Sequence, residues 1–429
     1  MENRKNFKKY IILWLSQSIS GLGSSMTGFA LILWAYRQSR SALSVSLMSF
    51  CNYVPYLVLS MFVGGLIDRH KKKTIMLVSD SIAAAGSLVV LFLLISGRLA
   101  IWNIYVVNAV IGITNAFQQP ASAVATGRLV PEDKISNVSG MNSFSGNLTV
   151  VFSPMLASAL FTAGGLPLIL LVDLTSFAIA FFVLLILIRI PETFEDRKHG
   201  SLFAGAAEGL GFLKKEKGIF HIMLTMALIN FFSRLTYENI LSPMILARSG
   251  DNSLSLGIVN ACMGMGGIAG GIIVSFRKES RNKAALIYVC AALSFLFGDL
   301  VMAVGRNTFW WALAAVSASL PIPFIMAGQN TILYRRIPVS MQGRVFAVRN
   351  AIQYSTLPPG ILLGGFLADH VFEPFMNSES DMAVLLGRIV GSGEGSGMAV
   401  MFLCTGICGF LVSAASCFDQ EIRGLDRQA

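Results

Sequence analysis

The chain has 429 residues, of which 54% are hydrophobic and only 13% are charged, and its formal net charge is +10. Soluble domains carry about 25% charged residues, so this composition excludes an ordinary soluble protein and indicates a chain that lies mostly in lipid. The positive charge could indicate a nucleic-acid partner, but the basic residues lie in short segments between apolar runs. That distribution is a membrane-topology signal, and no nucleic-acid partner is predicted.

Apolar runs of membrane-spanning length recur along the whole chain. A helix needs about 20 mostly apolar residues to cross the hydrocarbon core of a bilayer. We predict twelve spans, at 10–36, 43–67, 74–96, 101–124, 138–163, 166–188, 219–247, 253–275, 283–304, 309–333, 345–368 and 397–418. Backbone polar groups in lipid must pair within their own segment, so every span is expected to be a helix and the predicted fold class is an all-α integral membrane protein.

Lys and Arg are divided unevenly between the two alternating sets of connections. Most of the 33 lie at the N-terminus, in every second connection and at the C-terminus. The other set carries only Arg37, Arg40, Arg98, Arg248, Arg306 and Arg388. Basic residues favour the cytoplasmic side, so both termini are predicted to be cytoplasmic and the chain to be multi-pass in a bacterial cytoplasmic membrane.

The longest connection on the predicted cytoplasmic side divides the chain. It covers 189–218 and separates an N-terminal six-helix bundle, 1–188, from a C-terminal six-helix bundle, 219–429. Apolar residues in this linker recur at helical spacing, at Leu202, Phe203, Ala206, Leu210 and Leu213. Lysines follow them, so we predict an amphipathic helix that lies on the inner leaflet. The outer connection, 369–396, is either a structured flap or a flexible loop, and the sequence does not decide between them.

The two halves repeat each other at their basic turns. Gly64 corresponds to Gly270, and Arg128 corresponds to Arg335 at nearly the same offset. Two matches at one offset predict parallel repeats with a substrate path between them.

The turn after the second predicted span has the sequence Gly-Gly-Leu-Ile-Asp-Arg-His-Lys-Lys-Lys at 64–73. It resembles the signature loop of the major facilitator superfamily. The residues in matching places are Gly64, Asp68, Arg69, Lys72 and Lys73. Lys71 departs from the pattern, because many members have glycine there. The resemblance implies twelve helices in two pseudo-symmetric bundles that move a substrate by alternating access.

Two further segments narrow the resemblance. The turn that begins at Arg128 and the run Gly343-Arg344-Val345-Phe346 resemble the macrolide-efflux and siderophore-exporter branch, a group of drug/proton antiporters. The resemblance fails in the fourth span, where many proton antiporters have an arginine and this chain has none. The usual proton relay of the family therefore cannot be transferred to this chain intact.

The resemblance implies that the basic turn is a gate. In one state the carboxylate of Asp68 would meet the positive N-terminus of the helix near Gly343 and Arg344. The alternative is a loop that only sets topology. Asp80, in the third span, would join this cytoplasmic charge network by accepting hydrogen bonds from Arg69 or a lysine, or would be a surface acid. A second acidic turn, which ends at Asp369, is interpreted as a helix end built of small residues on the outer side.

Four ionisable residues within the spans are candidates for proton or substrate coupling. Arg234 and Glu238 are spaced i, i+4 on one face of the seventh span. An arginine at the centre of a membrane helix costs on the order of 3 kcal/mol, so the two are expected to face a cavity and to pair. Glu238 would take up a proton or contact a cationic substrate, or the pair is a wetted ion pair at the outer mouth. Asp173 and Asp299 are either interface residues or proton sites.

Polar and aromatic side chains give a second group of candidates, for the substrate cavity. They are Asn115, Gln118 and Gln119 in the fourth span, with Phe231, Phe232, Trp34 and Tyr354 as an apolar lining. Core packing is the alternative for each aromatic residue.

The function predicted from these observations is secondary active export of a small hydrophobic, macrolide-like compound, coupled to proton influx. The alternatives are a siderophore or lipid-like metabolite exporter, and a membrane receptor or scaffold that moves nothing. No catalytic residue set or metal-ligand spacing is present, so neither an enzyme nor a cofactor is predicted. The expected partners are the small-molecule substrate, protons and the lipid bilayer, and the expected oligomeric state is a monomer.

Overall fold

A computed structural model describes residues 2–60, 63, 70–131, 134–190, 208, 210–213, 215–276 and 282–427. Nearly all of these residues are helical, and no β-strand occurs among them. The chain forms two compact units. The first comprises Met1–Arg40 and Leu47–Lys198, and the second comprises Ser41–Ser46 and His199–Ala429. The predicted all-α fold class is therefore confirmed.

The helices of the first unit are long and are joined by short turns. They are α1 (Glu2–Ser39), α2 (Ala42–Ser60, whose first turn belongs to the second unit), α3 (Lys72–Ile95), α4 (Ile101–Leu129) and α5 (Ile135–Phe182). A π-helical turn, Val183–Leu187, extends α5. Within α5, Gly165 has a non-helical backbone with φ 66° and ψ −165°, and Pro167 follows it. The chain bends there because proline cannot supply the backbone donor that a continuous helix needs.

The second unit has more and shorter helices. They are α6 (Lys217–Thr236), α7 (Leu241–Arg248), α8 (Ser253–Phe276), α9 (Lys283–Ser294), α10 (Leu300–Val304), α11 (Thr308–Ser319), α12 (Ile322–Arg336), α13 (Val339–Ser355), α14 (Leu357–Leu367), α15 (Glu373–Met376), α16 (Asp381–Val390), α17 (Ser396–Ser416) and α18 (Gln420–Arg427). π-helical turns at Phe295–Asp299 and Ala368–Phe372 follow α9 and α14.

Nine helices in the described ranges are long and apolar enough to cross a membrane, so the predicted number of twelve spans is not confirmed. One of the nine, Gly140–Leu187, covers both the fifth and the sixth predicted spans. The predicted spans at 101–124 and 345–368 coincide with α4 and with α13–α14, which are outside the nine. Polar side chains lower the hydropathy of these segments, as Asn108 does in α4 and Arg349 in α13.

Each unit has its own apolar core. In the first unit, α1 packs along α5 and α3 packs along α4. In the second unit, α8 packs along α11, α9 along α12 and α17 along α6. Many large apolar side chains remain exposed, including Phe92, Trp102 and Phe276. Such a surface is expected when the outward faces of the helices contact lipid rather than water.

The two long predicted connections differ in what the structure describes. Of the predicted amphipathic linker helix, Leu202, Phe203 and Ala206 lie outside the described residues, while Leu213 is buried in the core of the second unit. The outer connection contains α15 and α16, so it is a structured flap rather than a flexible loop. The hydroxyl of Ser380 accepts a hydrogen bond from the backbone amide of Ala383 and caps the start of α16.

Candidate functional site

The second unit contains a break in a long helix. Helix α6 ends at Thr236, α7 begins at Leu241, and residues 237–240 between them form turns. We call residues 237–240 the helix break. Arg234, in the last turn of α6, forms a salt bridge with Glu238 in the break. Both side chains are partly exposed. The sequence spacing therefore brings the two charges together, and the break places the acid outside regular helix.

Tyr237, next to Glu238, connects the helix break to a buried acid. Its hydroxyl donates a hydrogen bond of 2.9 Å to Asp299, and the hydroxyl of Thr405 in α17 donates one of 3.0 Å to the other carboxylate oxygen. Asp299 is only 1% exposed. A buried charge normally has a paired cation, but both of these side-chain donors are neutral hydroxyls.

The break is also tied to helix α14. The side-chain amide of Asn239 donates to the backbone carbonyl of Ile361 at 2.7 Å and to the hydroxyl of Ser46. Gly364 lies close by, because a Cβ placed on it would lie 2.4 Å from the carbonyl oxygen of Leu235. Three consecutive side chains of the break thus contact three different parts of the second unit.

A second buried acid lies in the first unit. Asp173, in α5, is 5% exposed and accepts three hydroxyl hydrogen bonds, each of 3.0 Å. The donors are Ser24 and Thr27 on α1 and Ser87 on α3. Asp173 therefore resembles Asp299 in burial and in the neutral character of its side-chain donors.

The two acids lie among corresponding sets of predicted spans but on spans that are not equivalent, since Asp173 is on the sixth span and Asp299 is on the ninth. Asp173 lies among the first, third and sixth predicted spans, and Asp299 lies among the seventh, ninth and twelfth. A glycine beside a hydroxyl donor permits the close packing in both places. A Cβ on Gly23 would lie 2.5 Å from the hydroxyl of Ser176, and a Cβ on Gly406 would lie 3.0 Å from the Cβ of Asp299.

Asp80 forms a third carboxylate cluster, in the first unit. Its two oxygens accept hydrogen bonds from the side-chain amides of Gln118 at 2.8 Å and Gln17 at 3.3 Å. The sequence predicts Arg69 or a lysine as its partner. Arg69 lies outside the described residues, and the partners that the structure gives are amides because α1 and α4 flank α3 at this level. The carbonyl oxygen of Gln118 is buried and has no partner among the described residues.

The basic turn is described only in part. Gly64, Asp68 and Arg69 lie outside the described residues, as does the side chain of Arg344, which follows Gly343 on α13. The latch that the resemblance implies therefore stays a prediction. Lys72 is buried at the start of α3.

Lys73, next to it, binds the end of another helix. Its ammonium donates 2.8 Å hydrogen bonds to the carbonyls of Leu185 and Ile188. A cation at these last carbonyls stabilises the C-terminal end of a helix.

The acidic turn at Asp369 has a specific partner that the sequence analysis did not identify. Its carboxylate accepts hydrogen bonds from the hydroxyl of Ser41 at 2.5 Å and from the amides of Ala42 and Leu43 at 3.0 Å each. Asp369 thus caps the N-terminus of α2, within the second unit. The small residues before it pack closely, since a Cβ on Gly365 would lie 2.2 Å from the hydroxyl of Ser46.

The predicted cavity residues do not form one cluster. Trp34 packs against a core cluster of the first unit, while Phe232 packs against that of the second and contacts Phe231 with ring centroids 6.0 Å apart. Tyr354 is exposed. Among the polar candidates, Gln119 accepts a 2.9 Å hydrogen bond from Tyr56, and Asn115 is partly buried.

Sequence reasoning missed the neutral partners, notably Gln17, Tyr237 and Thr405. A buried acid in a predicted span signals that donors must be near. The spans contain many Ser, Thr and Tyr residues, so the sequence does not say which ones meet the acid. Within the described ranges, no group of His, Cys, Asp and Glu could hold a metal ion.

An all-helical chain with membrane-spanning helices, a broken helix and buried carboxylates has the architecture of a membrane transporter. Residues 13–358 match the family profile of the Major Facilitator Superfamily, and the chain belongs to that family. It is accordingly a membrane transporter and not an enzyme, as the sequence predicted.

Several curated relatives are named as efflux proteins. Over 380 residues the chain is 26% identical to macrolide efflux protein A of Streptococcus pyogenes, covering 86% of this chain and 92% of the relative. It is 23% identical over 398 residues to the multidrug efflux pump Tap of Mycolicibacterium fortuitum, covering 86% and 91%. The fold is similar to that of a bacterial homologue of the iron transporter ferroportin in an inward-facing state, with TM-score 0.68, 14% identity and coverage of 96% and 99%.

Proposed function

We propose that this chain exports a small hydrophobic compound, of the macrolide or multidrug class, across a bacterial cytoplasmic membrane by alternating access coupled to proton influx. The observation that supports export most strongly is the similarity to efflux proteins over 86% of the chain. The proposed orientation, with both termini in the cytoplasm, follows from the distribution of Lys and Arg.

Asp299 is the proposed proton site. Its side-chain donors are the neutral hydroxyls of Tyr237 and Thr405. A hydroxyl can donate to an ionised carboxylate and, after rotation about its C–O bond, accept from a protonated one. The cluster can therefore hold the acid in both protonation states. Glu238, by contrast, forms a salt bridge with Arg234.

The helix break links this proton site to the ion pair. Tyr237 contacts Asp299, and its neighbour Glu238 pairs with Arg234. Protonation of Asp299 weakens a charge-assisted hydrogen bond from Tyr237, which is the first residue of the break and is joined to Glu238 by one peptide unit. Glu238 is the proposed contact for a cationic group on the substrate, exchanged against Arg234. Broken helices near a binding site are a recurrent feature of transporters.

Transport in inverted membrane vesicles tests the proposal. Erythromycin and a cationic dye serve as substrates, with and without an imposed pH gradient. We expect gradient-driven uptake of at least one of them by the wild type and its loss in Glu238→Gln, with Glu379→Gln as the control because Glu379 is an exposed acid. Uptake by Glu238→Gln equal to that of the wild type would remove Glu238 from the mechanism.

A further inference from the structure

A cationic cavity lies in the second unit beside the flap. Its volume is about 460 Å³, and its lining includes Arg248, Arg306, Gly391 and Glu394. Gly391 ends α16 with a φ of 94°, a conformation that brings the backbone close to Arg248. A Cβ on Gly391 would lie 3.0 Å from a terminal guanidinium nitrogen of Arg248. The cavity is thus formed where the flap meets the end of α7.

Backbone carbonyls hold the two guanidinium groups in place. Arg248 donates to the carbonyl of Ala303 at 3.2 Å and to that of Val390, and Arg306 donates to the carbonyl of Arg388 at 3.3 Å. Arginine has five N–H donors, so each guanidinium retains spare donors. Within the described ranges, neither forms a salt bridge with a carboxylate. The arrangement is therefore a positioned pair of cations with unused hydrogen-bond donors.

The charge of the cavity is unusual for its place in the chain. The connections on the predicted outer side carry few basic residues, yet Arg248, Arg306 and the backbone of Arg388 meet here. Glu394 is the single acid in the lining and is exposed. Glu373, outside the lining, also acts electrostatically on Arg248. The lining itself has two guanidinium groups and one exposed carboxylate, which favours an anion, and the planar fork of arginine matches the oxygens of a phosphate.

Helix α16, which ends at the cavity, carries an exposed apolar strip. Met382, Leu385 and Ile389 follow one another at helical spacing and are 59%, 53% and 46% exposed. The opposite face packs on the protein through Ala383 and Val390, which are buried. Ten residues of helix are about 15 Å long, too short to cross a bilayer. A short helix with one face on the protein and an apolar strip outward is suited to the membrane interface.

We propose that the cavity binds the phosphodiester group of an anionic phospholipid such as phosphatidylglycerol, with an acyl chain along the strip on α16. The cationic lining is complementary to the phosphate, and the strip that leads to it is complementary to the chain. A soluble anion would bind in the cavity but would not contact the apolar strip on α16, because it has no acyl chain.

Binding to the purified full-length protein in detergent tests the site. Native mass spectrometry measures the apparent affinity for dioleoyl phosphatidylglycerol, dioleoyl phosphatidylcholine and glycerol 1-phosphate. We expect phosphatidylglycerol to bind best and Arg306→Gln to weaken its binding about tenfold, because a charge-assisted hydrogen bond is lost. Arg98→Gln is the matched control, since Arg98 is an exposed arginine in another connection of the predicted outer set.

The strip is tested separately. We expect Leu385→Ser to weaken phosphatidylglycerol binding several-fold and to leave glycerol 1-phosphate binding unchanged. If Arg98→Gln weakened phosphatidylglycerol binding as much as Arg306→Gln does, the effect would be a general attraction between the lipid and positive charge, and the proposal would be overturned. Binding of glycerol 1-phosphate as tight as that of the lipid would assign the cavity to a soluble phosphate and would also overturn it. Monitoring native-like mass and thermal unfolding of each variant separates loss of binding from loss of fold.

Discussion

Each unit buries an aspartate among a corresponding set of predicted spans, but the two acids have different surroundings. Asp173 accepts from three hydroxyls on α1 and α3, within regular helix. Asp299 accepts from two, and one of them belongs to Tyr237 in the helix break. Asp299 itself ends a π-helical turn. We infer that the first acid braces a rigid unit, while the second is connected to a segment that can change conformation.

The difference between Asp173 and Asp299 matters because irregular helix can change conformation more easily than regular helix. A continuous helix pairs its own backbone groups, so moving a part of it breaks many hydrogen bonds at once. In residues 237–240 the amides of Tyr237 and Ile240 still donate to the carbonyls four residues before them, at 3.0 Å and 2.9 Å. What distinguishes this segment is the contact of Tyr237 with the π-helical turn that ends at Asp299, and π-helical turns are often found at functional sites. We infer that protonation of Asp299 acts on the backbone of the second unit at this contact.

Replacing each buried aspartate by asparagine tests the difference between the two units most strongly. We expect Asp299→Asn to lower gradient-driven efflux by at least about tenfold, because the proton site is removed. Asp173→Asn should change efflux less than about twofold, because the hydroxyls of Ser24 and Thr27 can rotate to accept from the new amide. Drug accumulation in cells with matched expression measures both. Equal losses in the two variants would contradict the distinction between the units.

The salt bridge between Arg234 and Glu238 belongs to the second unit, and its removal is expected to have the next largest effect. Glu238→Gln removes the carboxylate of the salt bridge with Arg234, and we expect gradient-driven transport to fall at least about tenfold with normal membrane expression. The charge-swapped protein with Glu238→Arg and Arg234→Glu restores the attraction, and we expect it to reach the membrane normally but not to transport cationic dyes. Full dye efflux by the swapped protein would mean that the pair has only a structural role.

Removing a single hydroxyl donor from each acid compares Asp299 with Asp173 more finely. Tyr237→Phe removes the donor to Asp299 and keeps the ring that packs on Phe402, with ring centroids 5.3 Å apart. Loss of such a hydrogen bond costs about 1 kcal/mol, which corresponds to about a fivefold fall in efflux. Ser87→Ala makes the matched change at Asp173, and we expect it to affect efflux by less than about twofold. A larger effect of Ser87→Ala would reverse the assignment.

Much of this site was predictable from sequence because membrane helices impose strict local rules. The spacing of Arg234 and Glu238 predicts a pair, and the cost of an acid in lipid identifies Asp173 and Asp299 as important. Their hydroxyl partners were not predictable, because the rotation of one helix against another depends on packing along its whole length. The helix break itself was also missed, since no proline or glycine lies in residues 237–240.

Asp369 shows a second limit of sequence reasoning. The glycines before it predict close packing, and the structure has it at Gly364 and Gly365. The partner of the carboxylate, the start of α2 at Ala42, is 327 residues away along the chain. Local spacing carries no information about such a distant contact, so the acid was interpreted as part of an ordinary helix end.

The smallest expected effect concerns this cap. Asp369→Asn should destabilise the start of α2 by about 1 kcal/mol, because a charged acceptor at a helix N-terminus is replaced by a neutral one. Hydrogen exchange at the amides of Ala42 and Leu43 should become about fivefold faster. Asp381→Asn, in the first turn of α16, is the control and should leave these amides unchanged. Unchanged exchange in Asp369→Asn would mean that the cap contributes nothing to stability.

The central claim is that Asp299 couples proton movement to export, and purified protein in liposomes tests it most directly. Gradient-driven uphill transport and downhill exchange of the same substrate are measured for the wild type, Asp299→Asn and Asp173→Asn. The account predicts that Asp299→Asn loses uphill transport but keeps downhill exchange, while Asp173→Asn keeps both. Uphill transport by Asp299→Asn at the wild-type rate would contradict it.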